Sequence, residues 1–289
     1  MGFYVMALCL IKLFDSFFEK RTMNVFSHTT AKIAAWNLAG FNKISDKKLE
    51  NQVKGLAILD AEVVTLVEVK PYTHMQRLID GLAAKGCVYH SVMLQQESDL
   101  NIGVLFKEGV IAGDPEFIPG SDLGDSGKRK AFSVNMKIGK FDFLLIGVHL
   151  KSGRGAPEQA IRDDQCKVIG DFITNFRVNS REDIILMGDF NMIPGQDVSN
   201  FHHLGGDDLM DFLSSWDLQD RYSHILEKGR ANLLDGFAIT RTFSGEYIRG
   251  SLRLFPMHWT MDMGREKFRE EVSDHLPFVA SFKIDRDLV

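Results

Sequence analysis

Two kinds of apolar pattern alternate along this chain, and the alternation limits the folds it can adopt. Residues 32–38 and 62–69 are short, mostly apolar runs typical of buried strands. Between them, Leu49, Val53 and Leu56 recur at helical spacing after Ser45, which is suited to cap a helix. This alternation predicts an α/β protein.

The same two patterns continue along the sequence. Further strands are predicted at 87–94, 101–107, 183–188, 236–243 and 277–284, with a hairpin over 131–150. Helical stripes begin near Met75 and at Pro157. The result is two similar halves, which fits two sheets packed face to face with helices outside.

Composition is that of an ordinary globular protein. The chain has 289 residues, of which 45% are apolar and 25% charged, enough for one large core. We expect a single domain over residues 31–289. The net charge of −5 argues against a broad basic face for nucleic acid but leaves room for a local basic groove. The three widely spaced cysteines, Cys9, Cys87 and Cys166, are predicted to be free thiols.

Residues 1–30 are predicted to be an N-terminal extension. The apolar run 3–14 is too short to span a bilayer, and Lys12 interrupts it. Three explanations stay open: an atypical export segment, an appended amphipathic helix, or an upstream extension of a protein that begins at Met23. The last two together are favoured. We expect a cytoplasmic monomer without a membrane span.

Polar residues stand at the ends of the predicted strands, where a sheet commonly carries its site. These residues are Asn37, Glu68, His149, Asp189, Asn191, Asp235, Asp274 and His275. Glu68 lies within an apolar run, where an unpaired charge is costly, so a metal ion or an ion pair is expected beside it.

The segment GDFNMIP, residues 188–194, is the strongest local signal. Asp189 and Asn191 point to one face of an extended segment, where the carboxylate could bind metal or water and the amide a phosphoryl oxygen. An Asx turn after the strand is the structural alternative. Asp274 suits Mg²⁺ or Mn²⁺, and His275 could act as acid or base. Asp235 could orient a histidine or make a structural hydrogen bond.

Taken together, the polar blocks resemble those of the endonuclease/exonuclease/phosphatase superfamily, which has the fold of deoxyribonuclease I. The blocks, in order over residues 32–284, are WNLAGFN, LVEVK, NIGVLFK, GVHLKSG, MGDFN, LLDGFAIT and VSDHLPF. The resemblance implies a four-layered α/β sandwich with two facing mixed β-sheets flanked by helices. It also implies a phosphoester hydrolase that depends on Mg²⁺ or Mn²⁺.

The resemblance also implies a role for each matching residue. Asn37, Glu68 and Asp274 would hold the metal. Asp189 and Asn191 would place the attacking water and steady the phosphorus. His275 would be polarised by Asp235, with His149 as a second histidine. Arg129 and Lys151 would contact the substrate phosphate.

Two positions depart from the superfamily pattern. Gly236 stands where relatives often carry a bulky His or Tyr, a change that could open the floor of the pocket. In deoxyribonuclease I a glutamate pairs with the first histidine; here Glu97, Asp99 and Asn101 are the candidates for pairing with His149.

A nuclease acting on DNA is the favoured function. Lys151, Arg154 and Arg162 follow the HLKSG block and could track a phosphate backbone. The alternative is a phosphatase or phosphodiesterase acting on phosphoinositide, sphingomyelin or small phosphoesters. A binding protein that has lost its chemistry is disfavoured, because every expected catalytic residue is present.

Overall fold

The computed structural model of the protein describes residues 28–40, 44–98, 100–180, 182–206, 208–213, 222–225, 231–241 and 245–288. Residues 1–27 of the predicted N-terminal extension lie outside this part. Within it, no helix combines the length and the apolar character that crossing a bilayer requires.

Strands predominate among the elements. The strands are β1 (Thr30–Asn37), β2 (Val63–Val69), β3 (Tyr89–Met93), β4 (Asn101–Lys107), β5 (Val110–Ala112), β6 (Glu116–Phe117), β7 (Phe132–Ile138), β8 (Phe141–His149), β9 (Asp183–Asp189), β10 (Met210–Phe212), β11 (His224–Ile225), β12 (Ala231–Asn232), β13 (Asp235–Thr240), β14 (Arg253–Leu254) and β15 (Phe278–Lys283). The helices are α1 (Asp46–Leu59), α2 (Tyr72–Ala83), α3 (Ala156–Asn179), α4 (Val198–His203), α5 (Met257–Thr260) and α6 (Arg265–Glu271).

Two large sheets contain most of these strands. The first has the order β14-β15-β1-β2-β4-β3, and the second has the order β10-β13-β9-β8-β7-β5, with β6 also paired to β7. Only β1 with β2 and β8 with β9 run parallel among these pairs, so both sheets are mixed. The short strands β11 and β12 pair with each other.

The sheets pack face to face and are covered on both outer sides. Ile33 of the first sheet and Phe143 of the second belong to the core between them. Helices α1, α2 and α6 cover the outer face of the first sheet, where Leu56 belongs to the same cluster as Trp36. Helix α3 covers the second sheet through Ile169 and its neighbours. This arrangement confirms the predicted four-layered sandwich.

Local signals fixed several element boundaries. The Ser45 side chain caps α1 by accepting a hydrogen bond of 3.1 Å from the Lys48 amide. Pro157 lies in the first turn of α3, as predicted. The predicted hairpin is formed by β7 and β8, and Gly139 supplies the positive φ (61°) that its turn requires. Cys87 and Cys166 are free thiols, as predicted, and Cys9 lies outside the described residues.

The topology brings the ends of the polar strands together. In the second sheet Asp189 pairs with His149 on one side and with Asp235 on the other. In the first sheet β1 and β2 run parallel and end at Asn37 and near Glu68. The polar ends of the two sheets meet at one edge, where the candidate site lies.

Candidate active site

Asp189, the central residue of the site, reaches both sheets. Its Oδ2 atom lies 3.1 Å from Asn37 Nδ2, 3.7 Å from His149 Nε2 and 3.9 Å from His275 Nε2. All four residues are buried. One carboxylate oxygen therefore stands among an amide and two imidazoles that come from β1, from β8 and from the segment before β15.

Glu68 is directed into the site by an irregularity in its strand. The register between β2 and β4 shifts between Val67 and Val69, and Glu68 adopts a φ of 59°. A bulge of this kind re-aims the extra side chain. Gly40 passes close behind, since a Cβ atom there would lie 1.8 Å from the Glu68 carbonyl oxygen. Glycine at position 40 therefore gives the bulge its room.

Asn37 joins Asp189 and Glu68 through its amide nitrogen. Nδ2 lies 3.1 Å from Asp189 Oδ2 and 3.5 Å from Glu68 Oε1, while Oδ1 accepts a 2.9 Å hydrogen bond from the Ala39 amide. A backbone N–H can only donate, so this bond fixes which end of the side chain is oxygen. The NH₂ group, rather than the oxygen expected to bind metal, faces the carboxylates.

Asp235 and His275 form the hydrogen-bonded pair that the resemblance implies. Asp235 Oδ2 lies 2.6 Å from His275 Nδ1. The His275 backbone is held by Ser273 Oγ, which in turn donates a 2.6 Å bond to the Asn37 carbonyl. The Nε2 atom of His275 is thereby left facing Asp189 and Asp274, at 3.9 and 3.8 Å.

The segment after β9 forms an Asx turn as well as part of the site. Asp189 Oδ1 accepts a 2.9 Å bond from the Asn191 amide, and Asn191 adopts a φ of 51°. Asn191 Nδ2 donates to the Leu150 carbonyl at 3.2 Å. The Asx turn predicted as the structural alternative for this motif is therefore formed. A role in the site remains open to Asp189 as well, because its Oδ2 atom still faces the cluster.

His149 has different neighbours from those expected. Its Nε2 atom lies 3.6 Å from Glu68 Oε1. Asn101 bonds instead to the backbone of Gln96 and Val69, and Asp99 lies outside the described residues. Within the described chain, His149 Nδ1 is buried and makes no hydrogen bond. Of the three candidates, Asn101 is therefore bonded elsewhere and does not pair with His149.

The two site histidines differ in charge. For His149, burial lowers the pKa well below its ordinary value, and the nearby charges of Arg129 and His275 lower it further. Burial would also lower the pKa of His275, but Asp235, Asp189 and Asp274 outweigh it and raise the value to about 10. At neutral pH His149 is therefore neutral and His275 is an imidazolium.

Burial and neighbouring groups also determine the pKa values of two carboxyl groups in the site. Burial and the nearby charge of Asp235 raise the pKa of Asp189 to about 7, although His275 opposes them. For Asp274, burial is outweighed by the hydrogen bond with His224 and the charge of His275, which lower its pKa to about 2. Asp189 can thus exchange a proton near neutrality, whereas Asp274 stays ionised.

The predicted phosphate-contacting residues hold the loop beside the site. Arg129 donates to the carbonyls of His149 and Leu150 at 3.0 and 2.7 Å. The Lys151 backbone is anchored to Gln165. These contacts fix the Arg129 guanidinium beside His149 and the backbone of Lys151 in the adjoining loop.

Arg162 has a structural role. It is fully buried and donates to the Lys151 and Gly153 carbonyls and to Asp197. The expectation that Arg162 tracks a phosphate backbone is therefore wrong. Arg154 also pairs with Asp197, but its side chain is 40% exposed.

Two further residues belong to the site and were missed in the sequence. Lys48 is buried and donates to the Ala39 carbonyl at 2.8 Å; burial lowers its pKa, while the charges of Asp274 and Glu68 oppose that shift. His224 Nε2 lies 3.5 Å from Asp274 Oδ2, and its ring centroid is 4.7 Å from that of His275. No motif marks either residue.

Solved structures share this architecture. No protein-family model and no curated protein sequence matches the chain. D. rerio TDP2 complexed with a single strand DNA product is 15% identical, with a TM-score of 0.65, over 89% of this chain and 100% of that one. The human Nocturnin catalytic domain with bound sulfate anion is 15% identical, with a TM-score of 0.64, over 90% and 96%.

A third similar structure is the endonuclease/exonuclease/phosphatase from Bacteroides vulgatus, 13% identical with a TM-score of 0.65 over 89% of this chain and 99% of that chain. This chain has the endonuclease/exonuclease/phosphatase fold. The structural likeness confirms the fold that the sequence blocks imply.

The departure from the endonuclease/exonuclease/phosphatase pattern at Gly236 has a local explanation. A Cβ atom at position 236 would lie 2.6 Å from Phe190 Cε2, so the ring takes the space that a side chain would need. Gly236 and Phe190 line a cavity of about 800 Å³ together with Phe212, Phe237 and Asp235. The glycine thus leaves room for the Phe190 ring to line this cavity beside the end of β13 that carries Asp235.

The donor set of this endonuclease/exonuclease/phosphatase fold fits a divalent cation. The ligand atoms of Asp189, Asp235 and His275 lie within 4.8 Å of one another, and so do those of His224, Asp274 and His275. Glu68 lies beside the same cluster, where its Oε1 atom is 3.5 Å from Asn37 Nδ2 and 3.6 Å from His149 Nε2. Carboxylate oxygens in such numbers suit Mg²⁺ or Mn²⁺.

Proposed function

We propose that this protein is a divalent-metal-dependent phosphodiesterase and that DNA is its substrate. One observation carries the proposal: the Asp235–His275 pair is aimed at Asp189 Oδ2, within a cluster of buried and half-buried carboxylates. A proton donor, a group that can hold water and hard oxygen ligands converge there. Hydrolysis of a phosphoester requires these components together.

Glu68 and Asp274 would hold the metal ion, Mg²⁺ or Mn²⁺. Asn37 would orient Glu68 and Asp189 through its NH₂ group, which refines the expectation that it is itself a ligand. When bound, the ion would neutralise negative charge on a phosphate oxygen.

Asp189 would hold the attacking water. Its Oδ1 atom is occupied by the Asn191 amide, so Oδ2 is the atom that faces the reacting group. Its pKa of about 7 allows Oδ2 to accept a proton from water near neutral pH. Asn191 uses Nδ2 on the Leu150 carbonyl, and the remaining N–H of that amide could contact a phosphoryl oxygen.

His275 would stabilise the phosphate and protonate the departing oxygen. Asp235 accepts a hydrogen bond from His275 Nδ1–H, which keeps the Nε2–H directed into the site. His149 is held neutral and offers Nε2 beside Glu68 and Asp189. The two histidines therefore supply one charged and one neutral imidazole to the same phosphate.

The choice of a nucleic acid is supported by the neighbours and by local charge. The structure of TDP2 from D. rerio contains a single strand DNA product, and that of Nocturnin contains a sulfate anion. Arg129 and Lys151 offer positive charge beside the cluster although the chain is acidic overall. The aromatic cavity beside Asp235 favours a second candidate, a phosphoester with an apolar part such as sphingomyelin or a phosphoinositide.

Plasmid nicking tests the proposal. Supercoiled DNA is incubated with the protein in Mg²⁺, in Mn²⁺ and in EDTA, beside His275→Ala and a control, His90→Ala, at an exposed position. We expect metal-dependent nicking that falls by at least about 100-fold in His275→Ala and is unchanged in His90→Ala. No nicking by folded protein in either metal would contradict DNA endonuclease activity, and hydrolysis of sphingomyelin or phosphoinositide instead would favour the second candidate.

A further inference from the structure

His224 is fixed against the site by its backbone. Its strand β11 has only two residues, yet the Ile225 amide donates to the Asp274 carbonyl and the Leu276 amide donates to the Ser223 carbonyl, both at 2.7 Å. His224 and His275 face each other as a β-bridge pair. The two imidazoles therefore stand side by side because the main chain holds them there.

Three ligand atoms converge at this point. His224 Nε2 lies 3.5 Å from Asp274 Oδ2, and His275 Nε2 lies 3.8 Å from Asp274 Oδ1. One ligand atom from each residue falls within 4.8 Å of the other two. Around a tetrahedral Zn²⁺ with bonds of about 2.0–2.1 Å, ligand atoms are roughly 3.4 Å apart. Small side-chain rotations would bring the three atoms to that spacing.

The surroundings prepare both imidazoles to bind through Nε2. Asp235 accepts a hydrogen bond from His275 Nδ1–H, the carboxylate–histidine arrangement that commonly supports a zinc ligand, and Zn²⁺ would displace the proton that the imidazolium carries on Nε2. Within the described chain, His224 Nδ1 is buried and makes no hydrogen bond, so the polar contact of this ring is made through Nε2. Two imidazoles and one carboxylate suit a borderline transition metal better than Mg²⁺, which prefers oxygen ligands.

We propose that His224, Asp274 and His275 form a transition-metal site that binds Zn²⁺. The site leaves a fourth position open to water or an oxygen ligand. It differs from the oxygen-rich pair of Glu68 and Asp274, although it shares Asp274 with that pair. One consequence rests on the proposed function: Zn²⁺ bound here takes Asp274 and Nε2 of His275, so it blocks hydrolysis.

Zinc affinity tests the proposal without any substrate. Zn²⁺ is titrated into the full chain in competition with a chromogenic zinc indicator, using wild type, His224→Phe and the matched control His90→Phe. We expect one tight site in wild type and in the control, and an affinity at least about tenfold lower in His224→Phe. Equal affinity in His224→Phe and wild type would overturn the proposal.

A measurement on the wild type covers the case in which His224→Phe fails to fold. With Co²⁺ in place of Zn²⁺, the proton NMR spectrum should show two paramagnetically shifted ring N–H signals, one from each coordinated imidazole. Fewer than two such signals from the Co²⁺-loaded wild type would count against the site. Zinc binding through His224 in a protein that hydrolyses no phosphoester would uphold this inference and contradict only the proposed function.

Discussion

Asp235 contacts the ring nitrogen of His275 that faces away from Asp189, so it acts through the imidazole. The 2.6 Å bond fixes the ring orientation and helps to keep the ring protonated. The backbone amide of Asp235 is bonded separately to Ser223 Oγ. A change of the side chain alone should therefore leave the strand in place.

Replacing Asp235 by Asn should lower kcat by at least about 100-fold with little change in KM. Asn removes the charge that stabilises the imidazolium and can present its amide to Nδ1, which favours the wrong tautomer. Steady-state kinetics on whichever phosphoester the wild type hydrolyses would measure the effect. An Asp235→Asn enzyme with wild-type kcat would remove His275 from the proposed role.

At the level of single residues, the sequence predicted which residues would form the site but not how their side chains would be oriented. Strand-end polar residues identified Glu68, Asp189 and His275, because a buried strand places its terminal side chains at a sheet edge. The direction of the Asn37 amide depends on the Ala39 N–H, a contact that no residue pattern encodes. His224 escaped notice because it lies on a two-residue strand without periodicity.

Helix α1 supports the site through a buried polar group. Gln52 Nε2 donates to the Leu38 carbonyl at 2.8 Å and to the Val272 carbonyl at 3.1 Å, joining the segments that follow Asn37 and precede Asp274. Its oxygen faces His74 Nε2 at 3.2 Å, while His74 Nδ1 accepts from the Lys70 amide. A neutral His74 with its proton on Nε2 satisfies both bonds.

Stability should therefore fall in mild acid through His74. Burial, reinforced by Arg77, Lys48 and Lys70, lowers the pKa of His74 to about 4, whereas in the unfolded chain it is about 6.5. Between these values the unfolded chain binds more protons, so stability is full above pH 6.5 and decreases as the pH falls toward 4. At pH 5 the loss is about 2 kcal/mol.

Thermal unfolding of wild type and His74→Gln measures that loss. The two proteins are compared at about pH 7.5, above the pKa of His74 in the unfolded chain, and at about pH 5, between its pKa values in the two states. Gln cannot be protonated, so the variant should lose less stability on acidification than the wild type. The same acid-induced decrease in both proteins would show that other groups cause it.

The long helices and strands could be predicted from the sequence, whereas the shortest strands could not. The helix capped by Ser45 and the β7–β8 hairpin lie where period and turn signals predicted them. Strands such as β10, β11 and β14 have two or three residues and are defined by pairing with distant partners. A pattern read along the chain has too few residues there to show a period.

The whole molecule forms one site from two sheets. Glu68 and Asp274 belong to the side of the first sheet, while Asp189 and Asp235 end strands of the second. These carboxylates repel one another, and the His275 imidazolium offsets only part of that repulsion, since the pKa of Asp189 is still raised to about 7. A metal ion at this place should therefore stabilise the packing of both sheets.

Mg²⁺ should raise the melting temperature of the wild type by a few degrees relative to EDTA. A ligand at 100 times its Kd adds about 2.7 kcal/mol to the stability of the folded state. Glu68→Gln removes one expected ligand and should abolish most of the rise, and NaCl of equal ionic strength is the control for screening. An equal rise in Glu68→Gln and wild type would exclude Glu68 as a ligand.

The most direct measurement is hydrolysis of a panel of phosphoesters by wild type and Asp189→Asn, with Mg²⁺ or with EDTA. The panel contains double- and single-stranded DNA, RNA, sphingomyelin, a phosphoinositide and a small chromogenic phosphodiester. We predict metal-dependent hydrolysis of at least one substrate, DNA first, and its loss in Asp189→Asn, because Oδ2 of Asp189 faces His275 at the centre of the cluster. Failure of the folded, Mg²⁺-loaded wild type on every substrate, or undiminished activity of Asp189→Asn, would contradict the account.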